Sequence, residues 1–201
     1  MLYLVRHCQS SGQEPDAPLT ELGRQQAEQL ATFLSDPGQG HGSNPGQNHG
    51  IRRIVSSTYL RARQTVEPLA ARLNLPLETD SRLIERVLSI EPLSDWRERL
   101  LAAWADFDLT LPGGESSRTA TVRGLAAIDD ALAADQLPVV VVAHGNLISL
   151  LLHAFDGRPG YETWERLTNP DVFRIEPQLA PTAALAPGSS RQWTVTRLWP
   201  N

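Results

Sequence analysis

The chain opens on four apolar positions, Leu2-Tyr3-Leu4-Val5, and far downstream repeats the pattern as Val139-Val140-Val141-Val142-Ala143. Both runs are continuous, as in strands buried on two faces. Behind Thr20, a residue able to cap a helix, Ala27, Leu30, Ala31 and Leu34 fall on one helical face, and Asp36-Pro37-Gly38 ends that helix. Residues 51–56 read as a second strand. The stripe Ala62, Val66, Leu69, Ala70 and Leu73 then predicts a helix, in which Pro68 should impose a kink or a restart near Glu67. Residues 77–79 read as an edge strand. Ser116 is placed to cap a long helix carrying Val122, Leu125, Ala126 and Leu132, which returns the chain to the valine strand. Beyond Asn146 a further helix is expected, then strands at 172–175 and 193–198 across a Pro/Ala-rich loop. The alternation predicts an α/β fold, with three α/β/α layers, a mostly parallel central sheet and a small helical cap.

The cap is expected over about 85–115, where no strand pattern persists and Trp96, Leu100 and Trp104 recur at four-residue spacing, read as core rather than as a ligand platform. Residues 38–50, rich in Gly, Asn, Gln and Pro, read as a mobile surface loop. Their His41 and His49 stand without Cys or carboxylate neighbours and are taken as loop residues, not metal ligands.

Composition then narrows the class. With 201 residues, 41% hydrophobic and 20% charged, the chain fits a single domain over 1–201. A net charge of -5 favours neither nucleic acid nor an anionic membrane. All 18 basic residues are arginine, so lysine chemistry is excluded and any anion must be held by guanidinium groups. The one cysteine forms no intrachain disulfide, the first strand starts at residue 2, and no apolar run approaches the roughly 20 residues of a membrane span. A cytoplasmic location is expected. The pattern does not separate an exposed apolar stripe from core, so no oligomeric state is read from it.

The chemistry concentrates where the two apolar runs stop. Arg6-His7 follows the first and His144-Gly145 the second. In an open α/β sheet, ligands bind beyond the carboxyl ends of the strands. Two histidines and an arginine there suit a phosphoryl group, whose charge spreads over three equatorial oxygens.

With Gln9-Ser10, Leu19-Thr20, Gly23, Gln26-Ala27, Ser56-Ser57, Arg61-Ala62, Gln64-Thr65, Leu83, Glu85 and 112–116, these residues resemble the histidine phosphatase (phosphoglycerate mutase-like) superfamily in order and spacing, from residue 2 to about 152. The resemblance implies that His7 is the phosphoryl-accepting nucleophile and that His144 faces it across the phosphoryl group. Arg6 and Arg61 would hold the oxygens, and Gly145 would let the backbone approach, with helix amides after it adding positive potential. Glu85 would be the proton donor. Glu115 is the rival acid, read as orienting the site. Gln13 and Arg86 are candidate substrate contacts, although Arg63 and Arg86 read equally well as solvated charges. His153 is given no role. Neither metal nor other cofactor is implied, and the expected partner is a small phosphorylated metabolite.

Two departures from the family pattern matter. Cys8 stands where the family usually has glycine, so its side chain should narrow the pocket or require a different backbone angle there. A cysteine-phosphatase mechanism is excluded, because Glu14 stands where that motif needs arginine; an exposed Cys8 would be oxidation-sensitive. The second departure is Arg86-Val87-Leu88-Ser89, in place of the mutase branch's Arg-x-Tyr-Gly. The reading favoured is a phosphatase acting on small phosphomonoesters through phosphohistidine. A mutase-type phosphotransferase and a catalytically inactive binding module of the same fold are the alternatives.

Overall fold

A computed structural model describes residues 1–35, 50–133, 136–178 and 193–199. Four strands run parallel: β1 (Leu2–Arg6), β2 (Arg53–Ser57), β3 (Leu77–Asp80) and β4 (Val139–Ala143). β5 (Asp171–Pro177) and β6 (Trp193–Trp199) extend the sheet antiparallel, in the order β3-β2-β4-β1-β5-β6. The fold is thus mixed α/β with a mostly parallel sheet, as expected. The last two strands return antiparallel to β1 and to each other, a feature that their residue pattern does not distinguish.

Alternation along β1 divides the core. Leu2 and Leu4 join Val139 and Val141 on one face; Tyr3 and Val5 join Val140 and Val142 on the other. Helices α1 (Glu21–Ser35) and α2 (Leu60–Leu73) cover the second face. Helices α4 (Ser117–Ala133) and α5 (Gly145–Asp156) cover the first. Because β1 leads to α1 and its neighbour β4 leads to α5 on the opposite face, the chain parts between these strands and leaves a crevice at their carboxyl ends. The short helices α3 (Trp96–Ala105) and α6 (Gly160–Arg166) contact each other beside it.

Both expected caps form: Thr20 Oγ1 accepts from Gly23 N at 3.0 Å and Ser116 Oγ from Thr119 N at 3.0 Å. Three expectations are corrected. α2 runs unbroken through Pro68, since Ala62, Val66, Leu69 and Ala70 are buried on both sides of it and hold one helix against the sheet. In α4, Val122 is 62% exposed, and the buried stripe is Ala120, Gly124, Ala127, Ile128 and Ala131, with the expected Leu125 and Leu132 packed partly buried against the core. Small residues let α4 approach α5 closely: a Cβ on Gly124 would lie 2.9 Å from Leu147 Cδ1. Of the expected core trio, Leu100 is buried and Trp104 packs against the core, but Trp96 is 37% exposed. The α6 helix, absent from the pattern reading, supplies its neighbour Trp164, with ring centroids 5.6 Å apart. The expected loop at 38–50, apart from Gly50, lies outside the described residues, as do His41, His49, the Asp36-Pro37-Gly38 stop and most of the Pro/Ala-rich loop.

Gly23 fixes the path of the chain leaving β1. A Cβ there would lie 2.0 Å from the Gln9 carbonyl oxygen. Gly23→Ala gains roughly 1 kcal/mol in helix propensity, but the clash is with backbone that cannot swing aside. Net destabilisation of about 1–2 kcal/mol is expected, within the range for overpacking, and a lowered urea midpoint is the check.

Candidate functional site

The register that pairs Arg6 with Ala143 sets His7 and His144 side by side, each one residue past its strand. Their rings lie 5.0 Å apart, tilted by 59°. His7 is nearly fully buried, and its tautomer follows from its partners. Nδ1 lies 2.7 Å from the Cys8 carbonyl, which only accepts, so Nδ1 carries the proton. Nε2 is left with its lone pair and accepts from Arg61 Nε at 3.2 Å. Burial, opposed by the Cys8 hydrogen bond and helped by Arg61 and Arg6, drops the imidazole pKa from 6.5 to about 3. His7 is therefore a neutral imidazole whose unprotonated nitrogen is Nε2.

His144 is fully buried; its Nε2 lies 2.8 Å from Ser57 Oγ, and Tyr59 packs edge-on against its ring. Burial and the neighbouring His7 and arginines hold its pKa well below the usual value. Its Nδ1 is buried without a hydrogen-bond partner among the described residues.

Arg61, at the start of α2, donates through Nη1 to the carbonyls of Gln13 and Glu14 at 3.0 and 2.9 Å. Arg6 donates through Nη1 to Leu167 O at 2.9 Å. Arg61 Nη2 and Arg6 Nε are buried and unpartnered among the described residues. Neither arginine forms an ion pair there, although Arg53, Arg82, Arg123 and Arg197 each pair with a carboxylate. Burial lowers both guanidinium pKa values, with Glu85 acting most strongly the other way. Both remain charged. Gly145 lets Arg6 lie flat beside the backbone: a Cβ there would stand 3.1 Å from its guanidinium carbon.

Glu85 reaches the same crevice from the other side. Its oxygens accept from the amides of Arg86, Asn146 and Leu147 at 2.9, 3.2 and 3.1 Å. Two α5 amides expected to lend positive potential to a phosphoryl group thus hold the glutamate instead. Glu115 is not beside the histidines: its carboxylate forms a two-pronged pair with Arg123, whose Nη1 also donates to Ile84 O at 2.9 Å. Glu115 thereby anchors the segment that delivers Glu85.

A cleft of about 560 Å³ opens from these groups. Arg6, Gln13, Glu85, Arg86 and Asn146 line its polar end, while Val87, Leu88, Leu93, Leu100 and the two tryptophans Trp96 and Trp164, interspersed with Ser89 and Glu91, line the other. Gln13 is exposed at the mouth. Arg86 is only 5% exposed; its Nε donates to Glu115 O at 3.2 Å.

Cys8 does not narrow this cleft. Its side chain packs fully buried with Val5, Leu19 and Ala62, and its thiol is pushed up to about 12 by burial. Nor is a glycine-like angle required, since among the described non-glycine residues positive φ occurs at Asn74 alone. Cys8 thus lacks the exposure on which oxidation sensitivity depended. His153 accepts no site role either; its Nδ1 lies 2.8 Å from Arg158 O.

Sequence reading did not single out several supports. Thr65 Oγ1 donates to Arg61 O at 2.8 Å and accepts from Cys8 N at 2.9 Å, tying the arginine to the loop after His7. Asn169 Nδ2 donates to His7 O at 2.6 Å. Thr65 stood within the quoted motif string; Asn169 carried no local signal.

The depressed histidines make stability pH-dependent. The unfolded chain takes up protons near 6.5, whereas folded His7 does so only near 3, so stability falls as pH drops below 6.5. His7 alone accounts for a loss of about 2 kcal/mol between pH 7 and pH 5. Urea unfolding at the two pH values should show His7→Gln losing less than the parent by about that amount.

Residues 2–179 match the model of the histidine phosphatase superfamily (branch 1). The chain is 31% identical over 206 residues to the "Probable phosphoglycerate mutase GpmB" of Yersinia pestis (strain Pestoides F), covering 91% of this chain and 87% of that one. The solved structure of a mycobacterial glucosyl-3-phosphoglycerate phosphatase superposes with a TM-score of 0.72 at 25% identity, over 98% of this chain and 96% of that one. The alpha-ribazole phosphatase of Shigella flexneri shares the fold at 22% identity and a TM-score of 0.61, over 87% and 90% of the two chains. Paired histidines at neighbouring strand ends, flanked by arginines free of carboxylates, accompany a family match over most of the chain: the protein belongs to branch 1 of the histidine phosphatase superfamily.

Proposed function

We propose that this protein hydrolyses phosphomonoesters through a phosphohistidine formed on His7. The observation that carries the reading is the set of buried donors near a neutral imidazole: Arg61, whose Nε donates to His7 Nε2, keeps Nη2 unpartnered, and Arg6 keeps Nε unpartnered, among the described residues. Cationic donors fixed in place favour a phosphoryl dianion, because no reorganisation is needed as charge shifts among its oxygens.

In the first half-reaction His7 Nε2 attacks phosphorus, the bond from phosphorus to the ester oxygen breaks, and Glu85 gives its proton to the departing alkoxide. In the second, water attacks the phosphohistidine, Glu85 takes its proton, and the nitrogen–phosphorus bond breaks to release phosphate. His7 regains its lone pair. The three amides that fix Glu85 keep it at the cleft wall through both steps.

Hydrolysis is favoured over a mutase cycle by the far end of the cleft. A mutase must retain a phosphorylated product while it turns, which calls for cations beyond the phosphoryl site. Here, apart from Arg6 and Arg86, the cleft lining carries no basic side chain among the described residues. Glu115, paired with Arg123, acts as a positioning residue.

Phosphate release in excess chelator should persist in the parent and vanish in His7→Ala, which should also fail to trap an acid-labile phosphoenzyme. Release abolished by chelator, or retained in His7→Ala, overturns the reading. Glu85→Gln should slow turnover of an alkyl phosphate by about 10²–10⁴-fold and slow p-nitrophenyl phosphate far less, since that leaving group needs no proton. Equal losses on both esters would remove Glu85 from the acid role.

A further inference from the structure

The cleft is larger and less polar than a phosphoryl site requires. At about 560 Å³ it lies within the range of pockets that enclose a drug-sized ligand. Beyond Arg6 and Glu85 its walls are mostly apolar, through Val87, Leu88, Leu93 and Leu100 with Ser89 and Glu91 among them, and they end at Trp96 and Trp164. The two indoles meet edge to face at 87°, and Arg97 lies over the Trp96 ring at 4.4 Å, so the ring is fixed although partly exposed. An apolar surface of this kind, continuous with a polar site, suits the flat apolar portion of one ligand.

Arg86 adds a second requirement. It is 5% exposed, lines the cleft, and its Nη1 is buried with no partner among the described residues. None of the nearby carboxylates forms an ion pair with it among the described residues: Glu115 is held by Arg123 and Glu85 by three backbone amides, both carboxylates acting on the Arg86 guanidinium only through space, and Glu91 lines the cleft wall. A buried guanidinium without an ion pair is costly, and an anionic oxygen on the ligand would offset that cost.

We propose that the preferred substrate, on the phosphatase reading above, is the phosphate monoester of an alcohol bearing both a carboxylate and an aromatic ring, the carboxylate on Arg86 and the ring against Trp96 and Trp164. Trp96, Trp164 and Arg86 then set specificity, while the phosphoryl machinery stays common to all esters.

Three alkyl esters with similar leaving groups test this: glycerol 1-phosphate, the phosphate of 1-phenyl-2-propanol, and the phosphate of 3-phenyllactate. The expected kcat/KM rises about tenfold at each step, the scale of a well-filled apolar contact or one charged hydrogen bond. In Trp96→Ala the ratio of phenylpropyl to glycerol ester should fall toward one. In Arg86→Met the ratio of phenyllactate to phenylpropyl ester should do the same. Because each readout is a ratio within one active variant, loss of folded protein does not mimic it. Equal parent rates on all three esters, or ratios unchanged in both variants, overturn the specificity proposal and leave the phosphatase reading standing; turnover of none of them overturns both.

Discussion

The pairing of β1 with β4 is the constraint on which the site depends. Their parallel register, Arg6 opposite Ala143, brings two histidines far apart in sequence to a ring separation of 5.0 Å. Buried valines and leucines on both faces hold that register, because a one-residue slip would turn each strand's side chains to the opposite layer. Departure of α1 and α5 toward opposite faces then opens the crevice. Core packing and site geometry are therefore one arrangement: the residues that stabilise the sheet also set the distance between the two imidazoles.

Desolvation gives the crevice its character. Arg6, Arg61 and Arg86 retain cationic donors without carboxylate partners, and the same burial keeps His7 and His144 neutral. Water would screen such an array and protonate the imidazoles in mild acid; inside the protein, the positive field and neutral imidazoles coexist. Folding bears the cost, since buried charge without compensation opposes stability. The tight links around it, Thr65 to Arg61 and Cys8, Asn169 to His7, and Arg123 to Glu115, hold the array in place.

Much of this was legible in the sequence, for reasons that differ by element. β1 and β4 were readable because a strand buried on both faces leaves an uninterrupted apolar run. Arg6, His7 and His144 were readable because their polarity interrupts it. In α4, Val122 was placed inward and the buried Ala120, Gly124 and Ala127 were passed over because large apolar residues were weighted over small ones, whereas close helix packing against Leu147 selects the small ones. Trp96 was assigned to the core because helical spacing records a shared face and not what lies opposite it. Asn169, α6 and the antiparallel return of β5 and β6 depend on contacts across the whole chain, and nothing local announces them. Cys8 looked disruptive on comparison with glycine, but the layer beneath the loop accepts a small apolar side chain.

The manner in which Glu85 is held bears on how such a protein can change. Its three donors are main-chain amides, two of them at the start of α5, so the side chains at those positions can be exchanged without removing the groups that fix it. The wall of the cleft, by contrast, is made of side chains from 87 to 100 and from α6. A lineage can rewrite that wall while the glutamate keeps its seat. The fold thus separates the inheritance of a reaction from the choice of what it acts upon.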